Sequence, residues 1–120
     1  MVPKIRVERN MKEVKSIKIT TIVDNDVWKE WLASSWSLSV HVEIIKENKM
    51  HAILMDTGGS FEAFYKNTSR LGIDLTAVEG ILISHWHGDH CGALSQVLPL
   101  IRHSVLVYAP SASTSGMRER

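Results

Sequence analysis

Along the chain, apolar residues recur at every second position in some stretches and at every third or fourth in others, and the switches mark the elements. Residues 1–15 mix Lys, Arg and Glu with isolated aliphatics, as a solvated arm or a first edge strand would. From Ser16, Ile17, Ile19, Thr21 and Val23 fall on one side of an extended chain, which predicts a strand broken by Asp24-Asn25-Asp26. Trp28, Trp31 and Trp36 follow. The spacing of the first two fits a helical turn or a loop with aromatic anchors, and core packing is the expected role. A wall over a substrate pocket is the alternative. Leu38 to Lys46 alternates Val40, Val42 and Ile44 against His41 and Glu43, and Met50 to Met55 is a further strand. With the polar Glu47-Asn48-Lys49 between them, the two predict a hairpin.

The period then changes. Ser60 is a candidate N-cap for a helix carrying Phe61, Phe64, Tyr65 and Leu71, with Gly72 where a terminating glycine belongs. The run Ile81-Leu82-Ile83 within Gly80 to Ser84 is too short for a helix and predicts a buried strand. Leu94, Val97, Leu98 and Ile101 are helically spaced, and Pro99 is expected to end or kink that helix. Val105 to Tyr108 predicts a last strand, and the Ser-rich residues 109–120 a flexible tail. Strands and helices alternating through the second half argue for an α/β layer.

Composition narrows the function classes. The chain has 120 residues, enough for one small domain. A formal net charge of +1 gives no electrostatic case for nucleic acid or an anionic membrane surface. No apolar run approaches the roughly 20 residues of a membrane helix, and the charged N-terminus lacks the apolar stretch of a secretory signal. With a single cysteine, Cys91, no intramolecular disulfide can form, and a reducing, cytoplasmic compartment is the expectation. The expected partner is a small-molecule substrate.

The chemistry concentrates after Ser84, in His85-Trp86-His87-Gly88-Asp89-His90. In extended chain His85 and His87 lie on one side and Trp86 points away, plausibly into the core. Gly88 is expected to let the chain bend, bringing Asp89 and His90 towards the same point. Imidazole and carboxylate suit Zn²⁺, and also Fe or Mn. A polar surface loop that happens to be rich in histidine is the bland alternative, but four such groups beside a buried strand are costly to leave unpaired. The other histidines, His41, His51 and His103, are not expected to be ligands: the first two read as solvent-facing, and His103 as a cation near a helix end. Cys91 reads as a packing residue rather than an extra ligand.

Ser84 to Leu94 resembles the His-x-His-x-Asp-His signature of the metallo-β-lactamase superfamily, and Leu54-Met55-Asp56-Thr57-Gly58-Gly59 resembles its Asp-Thr-Gly motif. The resemblance covers about Ser16 to Tyr108. Trp36 to Val40 and Leu71 to Leu75 look most like metal-dependent hydrolases of the dihydropterin–ribofuranosylaminobenzene-phosphate synthase type. The resemblance implies the N-terminal half of an αββα sandwich, a mixed sheet with flanking helices, spanning residues 16–108. It implies one or two zinc ions, with His85 and His87 on the first and Asp89 and His90 on the second. Asp56 would hold the metal loop by hydrogen bonds. A metal-bound hydroxide, oriented by the catalytic Asp89, would attack an ester or phosphodiester-type substrate. The chain ends before the later histidines and bridging aspartate of the family, so a truncated, non-catalytic metal-binding remnant and a pterin-related transferase stand as alternatives. A half-sandwich also leaves one sheet face open. A homodimer or a separately encoded C-terminal half is the expected cover.

Overall fold

A computed structural model describes residues 13–111; the expected N-terminal arm, up to residue 12, and the tail from residue 112 lie outside them. Five strands form one mixed sheet in chain order: β1 (Val14–Val23), β2 (Ser39–Lys46), β3 (Lys49–Met55), β4 (Val78–Leu82) and β5 (Leu106–Tyr108). The first three are antiparallel and the last two join in parallel, so the sheet carries the expected α/β character. The β2–β3 hairpin turns at Glu47 and Asn48, both with positive φ, a conformation Asn tolerates at low cost.

The parallel steps need crossovers, and two helices supply them. Helix α1 (Phe61–Leu71) links β3 to β4. The Ser60 hydroxyl accepts from the Ala63 N–H at 3.2 Å, and Gly72 closes the helix at φ +68°, as the capping residues predict. Helix α3 (Leu94–Ile101) links β4 to β5. It runs past Pro99 to Ile101, so of the two expected effects, ending or kinking the helix, Pro99 does not end it. The proline removes a single ladder bond, and burial of Val97 and Ile101 on either side holds the last turn.

The core lies between one sheet face and these helices. Leu54, Val78, Ile81 and Ile83 pack against Phe64, Ala63, Val97 and Ile101. A register irregularity between Thr21 and Val23 lets both Ile22 and Val23 reach this core. The opposite face carries Ile17, Ile19, Val40, Val42, Ile53, Met55, Leu82, Leu106 and Tyr108, aligned across the five strands by register. No helix among the described residues covers it, and Ile19 is 67% exposed.

That face assignment corrects one expectation. The alternation in β2 is real, but its apolar set lies on the open face, and His41 points to the helix-covered side, where it is 2% exposed. Period two fixes which residues share a face and leaves open which face is buried. The tryptophans are a second correction: Trp28, Trp31 and Trp36 are exposed, not core. In their loop Leu32 is buried and Ala33 packs against the core, while the Asn67 side chain bonds both backbone groups of Ala33 at 2.8 Å and the Ile22 carbonyl at 2.8 Å. A buried amide that satisfies three backbone groups fixes the loop without aromatic anchors. Among the described residues no helix is long and apolar enough to cross a membrane.

Candidate metal centre

Two loops at the C-terminal ends of β3 and β4 build the site, where ligand sites of open α/β sheets usually lie. Residues 56–59 follow β3, and residues 83–93 follow β4 and contain the short helix α2 (Gly88–Cys91). Backbone hydrogen bonds join them: the Thr57 N–H donates to the His90 carbonyl and the Ala93 N–H to the Gly58 carbonyl, both at 2.9 Å. Gly59 permits this approach, because a Cβ there would sit 2.7 Å from the Gly88 carbonyl oxygen. The bend after His87 is a helical turn rather than a glycine-only conformation, since Gly88 has no positive φ; this corrects the expected role of Gly88.

The side chains converge. One ligand atom each from His85, His87 and Asp89 falls within a group 4.8 Å across. His90 borders it: its ring centroid is 4.1 Å from that of His85, and its Nε2 is 3.6 Å from Asp89 Oδ2. Trp86 turns away and packs against the core, its Nε1 donating to the Pro110 carbonyl at 3.0 Å. His51 is part-exposed and pairs with Glu79 at 2.9 Å, and exposed His103 bonds the Thr76 and Ser104 carbonyls, all away from the cluster. Cys91 is half-buried and packs on the core, as a small apolar residue would.

A hydrogen-bond network behind the cluster sets the proton positions on two of its rings. Asp56 is fully buried with φ +57° and accepts from the Ser84 N–H at 2.7 Å, the Ser84 hydroxyl at 2.6 Å and His90 Nδ1 at 2.8 Å. A carboxylate only accepts, so His90 carries its proton on Nδ1 and presents the Nε2 lone pair. The Ser84 hydroxyl spends its one proton on Asp56. It therefore accepts from His85 Nδ1 at 2.8 Å, and His85 also presents Nε2. Ser84 was not assigned a role from sequence. The available signal was a hydroxyl at the end of a buried strand, immediately before the first histidine.

The donor set fits a divalent metal. Two nitrogens at roughly 2.0–2.1 Å from a tetrahedral ion lie about 3.4 Å apart, so small side-chain rotations close a group of this width. Imidazoles with free Nε2 lone pairs and Nδ1 protons held by oxygen are in the form such ions take.

Known proteins resemble this chain in sequence and in fold. The family model described as "Metallo-beta-lactamase superfamily" matches residues 38–120. A curated protein of Methanocaldococcus jannaschii, 7,8-dihydropterin-6-methyl-4-(beta-D-ribofuranosyl)-aminobenzene-5'-phosphate synthase, is 28% identical over 103 residues, 83% of this chain. The chain spans about a third of that relative, 34% of its length. A long form RNase Z from yeast superposes with a TM-score of 0.56 at 19% identity, over 80% of this chain and 15% of that one. The metallo-beta-lactamase fold protein YhfI from Bacillus subtilis does so with 0.53 at 14%, over 86% of this chain and 42% of that one. At these identities the two structures speak for the fold alone.

Proposed function

Because the chain belongs to the metallo-β-lactamase superfamily, we propose that it is a metal-dependent hydrolase acting on an ester or phosphodiester-type substrate. The observation that carries this reading is the grouping of His85, His87 and Asp89 donor atoms within 4.8 Å. Those three would hold a divalent ion, Zn²⁺ in the first instance with Fe or Mn suited to the same donors, and Asp89 with His90 would hold a second. A divalent ion there would supply Lewis acidity and make water a nucleophile near neutral pH.

The chain's own residues prepare that chemistry. Asp56 and Ser84 fix the tautomers and ring angles of His90 and His85 before any ligand arrives, so little reorganisation is left for binding. The Asp89 carboxylate, half-buried at the rim, would accept a hydrogen bond from the attacking water and orient it. His87 is exposed, so a substrate can reach the cluster, which suits catalysis better than the closed sites of structural metals.

The Methanocaldococcus relative favours a second reading, a pterin-related transferase of the same fold. Hydrolysis of a bis-aryl phosphodiester by the zinc-loaded chain, with His87→Ala as control, separates the two. Turnover lost in His87→Ala supports the hydrolase. Metal binding without turnover leaves the transferase or a non-catalytic metal-binding chain.

A further inference from the structure

Strand β1 lies at one end of the sheet, and among the described residues no strand pairs with its outer side. The β2–β3 hairpin fixes which backbone groups face that side. Lys46 and Lys49 close its two-residue turn as a hydrogen-bonded pair, so the even-numbered residues of β2 bond β3 and the odd-numbered ones bond β1. By register, the β1 partners of those odd-numbered residues are Ser16, Lys18 and Thr20. The N–H and C=O groups of Ile17, Ile19 and Thr21 therefore face outwards. Trp28 confirms the direction, because its indole Nε1 donates to the Thr21 carbonyl at 2.9 Å from outside the sheet. The outward groups of Ile17 and Ile19 are left as a template for another strand. A groove of about 440 Å³ runs along the same edge, with Ile19, Thr21, Asp24, Asp26 and Trp28 in its wall. No ion pair among the described residues uses Asp24 or Asp26.

We propose that residues 1–12 of the chain fold back along this edge and add an antiparallel strand to β1. The segment joins β1 at its first residues, so closing the hairpin takes only a short loop. Its length fits: with residues 9–13 as the turn, residues 1–8 match the stretch from Val14 to Thr21. Its pattern fits: Ile5 and Val7 alternate with Lys4, Arg6 and Glu8, the period of a strand, and Asn10 suits the turn. Its charge fits: Lys4, Arg6, Arg9 and Lys12 outnumber the one acidic residue, Glu8, and the docking groove carries the carboxylates of Asp24 and Asp26. The added strand would present Pro3 and alternating charges as the new edge, which blocks edge-to-edge assembly of the sheet. The inference is independent of the metal-centre reading.

The test is hydrogen exchange of single backbone amides, followed by NMR on the full chain at two protein concentrations. The Ile17 and Ile19 amides are expected to exchange at least about tenfold more slowly than unbonded ones, equally at both concentrations. That protection is expected to be lost in the double variant Ile5→Pro/Arg6→Pro, which removes a ladder N–H whichever way the strand is registered, and reduced in Asp26→Asn. The Lys18 and Thr20 amides, bonded to β2, should stay protected throughout and so report that the sheet is intact. Unprotected Ile17 and Ile19 amides in the wild type overturn the proposal. So does protection that survives the proline pair and Asp26→Asn, or that rises with concentration, which would assign the edge to a second copy.

Discussion

His90 Nδ1 lies 2.8 Å from Asp56 Oδ2, on a carboxylate with no solvent exposure that also receives both donors of Ser84. One buried side chain thus joins the end of β3, the end of β4 and helix α2.

Removing that carboxylate leaves three donors without their acceptor. Asp56→Ala is expected to cost about 2–4 kcal/mol of stability and to weaken zinc binding by roughly 10–100-fold. Asp56→Asn, which keeps the shape, is expected to lose less stability than affinity. Thermal melts and zinc titrations of both variants check this; unchanged affinity in Asp56→Ala would remove the carboxylate from the site.

The glycines of the two loops are not equivalent. A Cβ at Gly59 meets the Gly88 carbonyl oxygen at 2.7 Å, whereas one at Gly88 meets nothing within 4 Å. Gly59→Ala is expected to destabilise by about 1–3 kcal/mol and to lower zinc affinity, with Gly88→Ala close to wild type. Equal effects in denaturant melts would contradict the close approach of the loops.

Two histidines give stability opposite pH dependences. Burial holds the His41 pKa below the usual 6.5, so its contribution is full above that value and is lost as pH falls towards the folded pKa. The Ser104 and Thr76 carbonyls raise that of His103, whose contribution is full below 6.5 and lost as pH rises through the folded pKa. Urea melts across this range are expected to show His41→Leu flattening the acid limb and His103→Gln the limb above 6.5. A His41→Leu profile parallel to wild type would refute the first half.

The uncovered sheet face, with Ile17 and Ile19 on it, is proposed to pair with a second copy of the chain. Light scattering is expected to give a mass that rises with concentration and falls in Ile19→Lys. A monomer at every concentration would rule the pairing out.

Much of this was legible in the sequence, for physical reasons. Caps and breakers act locally, so Ser60, Gly72 and the hairpin at Glu47-Asn48 could be read from neighbours alone. The four candidate ligands lie within one short segment, so a single turn brings them together. What depends on distant chain was not legible. Whether His41 faced helix or solvent was decided by helices later in sequence. Asn67 replaced the tryptophans as loop anchor across more than thirty residues, and the orphaned Ser37 hydroxyl shows only once the loop is placed beside Asp89.

Zinc stoichiometry by equilibrium dialysis of the full chain, beside His87→Ala and Asp89→Ala, tests the shared centre most directly. One or two ions per wild-type chain, with at least about tenfold weaker binding in each variant, is the expected result. Zinc at background in the wild type, or held equally by all three proteins, would contradict a metal centre built from His85, His87 and Asp89.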